Sequence, residues 1–111
     1  MLGIDVVDIE RLRGALARNA RLKERLFTKE EIAYCEARRD PLPHFAARLA
    51  AKEAVMKALG LRSLPAWAGR IEIVNLPSGR PAGRAQLTEG VREVEVSISH
   101  DGPVAVAVAR D

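Results

Sequence analysis

Aromatic residues are scarce in this 111-residue chain: one Trp, one Tyr and two Phe, 4% of the whole. Proteins that grip single-stranded nucleic acid stack bases on aromatic platforms, so this scarcity weighs against that class. Cysteine is rarer still. The lone Cys35 excludes an internal disulfide and suits a reducing compartment, which predicts a cytoplasmic protein. No apolar run approaches the roughly 20 residues of a membrane span. The opening stretch MLGIDVVDIERL has neither a basic leader nor a small-residue cleavage site, so no secretory signal and no membrane association is expected. Internal repeats and low-complexity segments are also absent. What is present, 48% apolar and 30% charged residues, is the composition of an ordinary folded protein, and the length predicts one domain over residues 1–111.

The formal charge is only +3, but it is unevenly placed. Between Arg11 and Lys29 there are seven basic residues (Arg11, Arg13, Arg18, Arg21, Lys23, Arg25, Lys29) against one acid, Glu24. Such clustering predicts an acidic partner. With so few rings to stack bases, an acidic protein is favoured over nucleic acid. A solvated helix face is the plainer reading.

The densest information lies in His44 to Gly60, HFAARLAAKEAVMKALG. It is rich in Ala, has no internal Pro or Gly, and ends on Gly60, which predicts a helix. At about 100° per residue, Phe45, Leu49, Val55, Met56 and Leu59 share one sector and four alanines a neighbouring one. Arg48 and Lys52 project inside the apolar sector, while Glu53 and Lys57 stand one turn apart at its edge. Charges interleaved with core residues need buried partners.

Around this helix, residues 1 to 8 alternate as a strand, and a helical pattern starts at Asp8 or Ile9. If that helix continues, Arg11, Arg18 and Arg25 share one face. Thr28 and Glu31 form a capping box that opens a second helix, which runs to Cys35 or Arg38 and ends at the Asp40-Pro41-Leu42-Pro43 break. Leu61 to Arg70 is expected to be a loop in which Trp67 covers the core. Strands follow at Ile71–Val74 and near Ala82–Gln86, with a short helical turn at Thr88–Arg92. Val94 to His100 alternates strictly with Val94, Val96 and Ile98 inward, and Asp101-Gly102 turns it back into Val104–Ala109. The fold class is therefore α+β: a single small, mostly antiparallel sheet packed by a long central helix and shorter helices.

The candidates for chemistry are Asp5, Arg48, Lys52, Glu53, Lys57 and His100. Asp5 is a carboxylate among β-branched neighbours; it is either a cap at a strand end or a functional group. Two carboxylates without Cys ligands suit a hard, oxygen-bound cation such as magnesium, which takes one or two carboxylates and completes its shell with water and phosphate oxygens. The basic residues near Glu53 would then meet further phosphate charge. His100 ends a strand before a tight turn, where its ring can point into a cleft or serve structure alone.

Three segments together resemble the holo-acyl-carrier-protein synthase family, the small phosphopantetheinyl transferases. They are Gly3-Ile4-Asp5 followed by Arg11, the run Arg48-Leu49-Ala50-Ala51-Lys52-Glu53-Ala54-Val55-Met56-Lys57-Ala58, and Val96-Ser97-Ile98-Ser99-His100. Phe27-Thr28 with Glu30 is similar to a further segment of that family, and the order and spacing match over nearly the whole chain. The resemblance implies transfer of 4′-phosphopantetheine from coenzyme A to a serine of an acyl carrier protein of fatty acid or polyketide synthesis, with release of adenosine 3′,5′-bisphosphate. It implies Asp5 and Glu53 as magnesium ligands, Lys57 beside the pyrophosphate, and Glu53 with Lys57 as the catalytic pair. Arg48 and His100 fall at coenzyme A positions, and Arg11, with Arg18 and Arg21, on the surface that docks the acidic carrier. It also implies a homotrimer with active sites between subunits. Lys52 is left open: either it belongs to the coenzyme A site or it runs its stem out to solvent.

The chain departs from the family pattern in three places. The Gly-rich segment after the long helix is reduced to Gly60, the Asn-Gly-Lys-Pro turn reads Ser78-Gly79-Arg80-Pro81, and Leu49 stands where an aromatic is common. A module that binds structured RNA through Arg11–Lys29, or a related fold that only binds a carrier, are the alternative readings. The first leaves the Lys-Glu-Ala helix and the Ser-His strand without a purpose.

Overall fold

A computed structural model describes all of residues 1–111. The chain runs β1 (Leu2–Asp8), α1 (Ile9–Arg18), α2 (Leu22–Leu26), α3 (Lys29–Glu36), α4 (Pro41–Leu59), α5 (Leu64–Trp67), β2 (Ile71–Asn75), β3 (Pro81–Leu87), β4 (Gly90–Asp101) and β5 (Val104–Arg110). The five strands form one sheet in the order β1-β5-β4-β3-β2, every pair antiparallel. This is the α+β architecture expected.

Helix α4 lies across the inner face of the sheet, against β1, β5 and β4. Its buried face is Ala46, Ala47, Ala50, Ala51, Ala54 and Ala58 with Phe45, Leu49, Val55 and Met56. Alternation in the strands supplies the other side of the core. In β1 the inward residues are Gly3, Asp5 and Val7, paired with Ala109, Ala107 and Ala105 of β5. Small residues on both sides let helix and sheet approach closely. A Cβ on Gly3 would stand 2.0 Å from the Ala54 carbonyl oxygen. The opposite face of β1 and β5 has no helix over it, and Leu2, Ile4, Val6, Val104 and Val108 are exposed there.

Local signals set most boundaries. Asp8 caps α1, its Oδ1 accepting from the Arg11 amide at 3.0 Å. At α3, Thr28 and Glu31 complete the reciprocal capping box. Gly60 closes α4 in the left-handed region at φ 70°, where the absence of a Cβ removes the steric penalty.

Four expectations are corrected. Helix α4 starts at Pro41, not His44: prolines at the first positions of a helix lack only amides that would have no intrahelical partner, so the apparent break is the start. The first helix ends at Arg18 because Asn19 turns extended (φ −134°, ψ 103°), so Arg25 lies on α2 and does not continue the face of Arg11 and Arg18. Residues 88–92 hold no helical turn. Leu87 pairs with Gly90 across a tight β3–β4 hairpin turned by Thr88 and Glu89, and Gly90 at φ 124° closes it. The segment after Gly60 contains the short helix α5, whose Trp67 packs on the core as expected.

Candidate functional site

The inward face of β1 and the edge of α4 bring Asp5, Glu53 and Lys57 together. Asp5 sits two residues beyond Gly3 on the same face, and the close Gly3–Ala54 approach sets it against the neighbouring turn of α4. The Lys57 ammonium reaches Asp5 Oδ1 at 3.0 Å and the Ile4 carbonyl oxygen at 2.9 Å, which leaves one N–H of three uncommitted and more than half of the side chain exposed. Glu53 is half-buried. Burial first, then the hydrogen-bonded contact with Asp5 and its charge, push the Glu53 carboxyl up to about 7, with Lys57 opposing. Asp5 does not cap α1, a task that Asp8 performs.

Two carboxyl groups, of which Asp5 raises the proton affinity of Glu53, offer hard oxygen donors whose mutual repulsion a divalent cation would relieve. No third His, Cys, Asp or Glu side chain joins them. That donor set fits magnesium, which takes few protein carboxylates and keeps positions for water and phosphate. It does not fit a zinc centre.

A second group gathers where α3, the start of α4 and the ends of β2 and β4 meet. The Arg48 guanidinium stacks on Tyr34 at 4.1 Å and Arg38 on the same ring at 4.5 Å. The His44 ring stands edge-on to Tyr34 at 6.3 Å and to His100 at 5.6 Å. Arg48 is buried. Its Nη2 makes a long 3.5 Å contact to Asn75 Oδ1, and its Nε has no partner. Burial, then His100, Arg38 and Arg48, push the His44 pKa down, with Asp40 opposing. An excess of positive charge around an unsatisfied buried donor is an arrangement that an anion completes.

Arg48 and Glu53, five residues apart on α4, are separated by about 7.5 Å along the helix and about 140° around it. No hydrogen bond or ion pair links the two groups. A single chain therefore assembles Asp5, Glu53 and Lys57, and separately Arg48 and His100.

Lys52 fits neither expectation for it. It is fully buried, pairs with Glu31 Oε1 at 2.6 Å, and donates to the carbonyl oxygens of Leu26 at 2.8 Å and Ala68 at 2.6 Å. It reaches neither solvent nor an open site. Arg11, Arg18 and Arg21 form no ion pair, whereas Arg13 and Lys23 are paired with Glu10 and Glu36. Sequence reasoning did not find Tyr34, Arg38, His44 or Asn75. Tyr34, Arg38 and His44 carry the signal of cationic and aromatic residues recurring between α3 and the first turn of α4, and Asn75 at the end of β2 carries none.

Residues 1–109 match the 4′-phosphopantetheinyl transferase superfamily. A holo-[acyl-carrier-protein] synthase of Moorella thermoacetica is 47% identical over 114 residues, covering 96% of this chain and 89% of that protein. Its counterpart from Syntrophotalea carbinolica is 44% identical, covering 96% and 90%. Among solved structures, the Helicobacter pylori holo-[acyl-carrier-protein] synthase in complex with coenzyme A superposes with a TM-score of 0.81 at 29% identity, over 99% of this chain and 98% of that one.

Proposed function

We propose, for a chain that belongs to the 4′-phosphopantetheinyl transferase superfamily, the reaction of its holo-[acyl-carrier-protein] synthase relatives. The 4′-phosphopantetheine arm of coenzyme A passes to a serine of an apo acyl carrier protein, and adenosine 3′,5′-bisphosphate leaves. The observation that carries this reading is the convergence of Asp5, Glu53 and Lys57 from β1 and α4.

Attack of the serine oxygen on the β-phosphorus forms one P–O bond and breaks the bond to the bridging oxygen of the pyrophosphate. Such a transfer asks the protein for positioning and charge neutralisation and little covalent work. Asp5 and Glu53 are the ligands for magnesium, which when bound supplies a Lewis acid and a template for the pyrophosphate. Lys57, held in place by Asp5 and the Ile4 carbonyl, presents its remaining N–H to the charge that develops on the leaving oxygen. Arg48 and His100 belong to the coenzyme A site, a role supported by the unpartnered Arg48 Nε and the cationic surroundings of His44. Arg11, Arg18 and Arg21, exposed and free of ion pairs, form the docking surface for the acidic carrier.

The separation of the two groups on α4 favours active sites completed by a neighbouring copy. The uncovered apolar face of β1 and β5 supplies a surface for assembly into a homotrimer. No helix is long and apolar enough to cross a membrane. We place this single transferase domain in the cytoplasm.

Incubation with coenzyme A, magnesium and an apo carrier protein from the same organism tests the proposal. The carrier mass should rise by one phosphopantetheine arm. No transfer to any such carrier refutes the function. Asp5→Ala and Glu53→Ala should each abolish turnover with an unchanged circular dichroism spectrum, and full activity in either variant removes the ligand assignment.

A further inference from the structure

The buried ion pair of Lys52 and Glu31 has no part in the chemistry above, yet it is the most completely bonded polar group in the molecule. The three N–H bonds of the Lys52 ammonium go to Glu31 Oε1 (2.6 Å), the Leu26 carbonyl oxygen (2.8 Å) and the Ala68 carbonyl oxygen (2.6 Å). On the Glu31 side, Oε1 also accepts from the Thr28 amide at 2.8 Å and Oε2 from the Ile73 amide at 2.8 Å. Thr28 in turn donates its hydroxyl to Glu72 at 2.5 Å. One amine on α4 thus ties together the end of α2, the start of α3, the end of α5 and the edge strand β2.

Apolar contacts also hold α4, with Phe45 against the Phe27 ring at 5.0 Å and Val55 in the space beside Gly83, but they are non-directional. Its sheet-facing surface is mostly alanine, against Ala105, Ala107 and Ala109 of β5. Alanine on alanine presents few ridges and grooves along β5, so that part of the interface specifies the rotation of α4 less sharply than a directional bond does. Buried ion pairs contribute little net stability, and their best-attested use is to select one register among near-equivalent packings. Rotation matters here because Glu53 is the next residue. A turn of ~20° about the axis moves a side-chain tip at roughly 5–6 Å radius by about 2 Å.

We infer that the Lys52–Glu31 pair is a positioning lock that fixes the rotation of α4 and so sets Glu53 and Lys57 against Asp5. The inference rests on the reading of those three residues as the reacting centre. Lys52 itself has no free N–H and no open face, so it touches neither substrate nor cation.

The test replaces the pair by apolar residues of similar volume, Lys52→Met with Glu31→Leu, and adds the single variant Glu31→Gln, which keeps the side-chain volume and one acceptor oxygen while removing the charge. The double variant leaves the Leu26 and Ala68 carbonyls and the Thr28 and Ile73 amides without these partners and should melt at a lower temperature. Below that transition its circular dichroism spectrum should be retained while kcat per folded molecule falls about 10- to 100-fold, the loss expected for misplacement on the scale of 1 Å. The carrier KM should stay within about twofold, because Arg11 and Arg18 lie on α1, to which the pair makes no bond. Unchanged kcat in a folded double variant overturns the lock. If the double variant does not fold, Glu31→Gln decides by the same kcat measurement: a fall supports the lock, and a wild-type value overturns it. A crystal structure of the folded variant gives a readout independent of catalysis. Separation of Lys57 Nζ from Asp5 Oδ1 beyond hydrogen-bonding distance supports the lock even if the wild-type protein transfers nothing, in which case only the transferase reading fails. An unmoved 3.0 Å contact overturns the lock even in an active enzyme.

Discussion

Gly3→Ala isolates the contact that brings strand and helix close enough for Asp5 to meet its partners. The added Cβ would lie 2.0 Å from the Ala54 carbonyl oxygen and 2.8 Å from the Ala58 nitrogen, where ordinary contact begins at 3.4 Å. Both atoms belong to the α4 backbone, so no rotamer change relieves the clash and β1 must retreat by about 1.4 Å. Overpacking of this kind costs ~1–3 kcal/mol. At ~4–8 °C per kcal/mol for domains near this size, the melting temperature should fall by about 5–20 °C. Asp5 moves with the strand, and its 3.0 Å contact to Lys57 stretches past hydrogen-bonding range. Turnover per folded molecule should drop ~100-fold. Thermal melts paired with carrier mass-shift kinetics measure both effects. Gly69→Ala is the control, since its Cβ meets nothing within 4 Å and its φ is not positive, so its stability should stay within ~0.5 kcal/mol of wild type. A Gly3→Ala protein with wild-type melting and turnover would refute the reasoning, and lowered melting with undiminished turnover would refute the coupling to Asp5.

Charge reversal of Arg11 and Arg18 together should raise the carrier KM by ~10-fold or more, with the coenzyme A KM within about twofold; equal effects on both would remove the docking surface. Ile4→Glu places a charge on the exposed apolar face of β1; if that face assembles the proposed trimer, the wild-type chain should elute as a trimer and the variant as a monomer in size-exclusion chromatography with light scattering, with the spectrum of the folded chain unchanged. His44 has its pKa pushed below 6.5, so in the window beneath that value the unfolded chain binds the proton that the folded chain refuses. Stability should be full above pH 6.5 and fall as the pH drops through the window, and His44→Gln should lose less between pH 7.5 and 5.5 in urea titrations. Equal losses in the two proteins would contradict this sign.

The elements that the sequence made legible are those with short-range causes. The capping box at Thr28 and Glu31, the stop at Gly60 and the Asp101-Gly102 turn each rest on residues within a few positions of one another, and each is present. Pro41 was misread because the same ring that breaks a helix interior suits its first turn, and only the tertiary context separates the two cases. At Thr88–Arg92 the apolar pattern was too short to distinguish a helical turn from a hairpin, and Gly90 was the overlooked signal. Lys52 was recognised as a charge in need of a partner but could not be assigned one. Its carboxylate lies 21 positions away, and its other acceptors are backbone carbonyls, which carry no mark in a sequence. Asp5, Glu53 and Lys57 became legible as a set through resemblance; spacing alone does not bring residue 5 to residue 53.

The placement of Arg48 and Glu53 on different sides of one helix makes a sharper demand than either residue does alone. If one chain built the whole site, Arg48→Ala and Glu53→Ala chains mixed together would be as inactive as each alone, because every chain would still lack one group. If instead Asp5, Glu53 and Lys57 of one copy face Arg48 and His100 of the next, mixing restores some complete sites. In a randomly mixed cyclic trimer a complete site needs an Arg48→Ala chain to supply the carboxylate and a Glu53→Ala neighbour to supply the guanidinium, a chance of about one in four. Unfolding and refolding the two variants together should therefore recover about a quarter of wild-type transfer, whereas mixing without subunit exchange should recover none. Ile4→Glu introduced into both chains should abolish the recovery by preventing assembly. Recovery that survives Ile4→Glu, or no recovery after proven exchange, would refute the division of the site between copies.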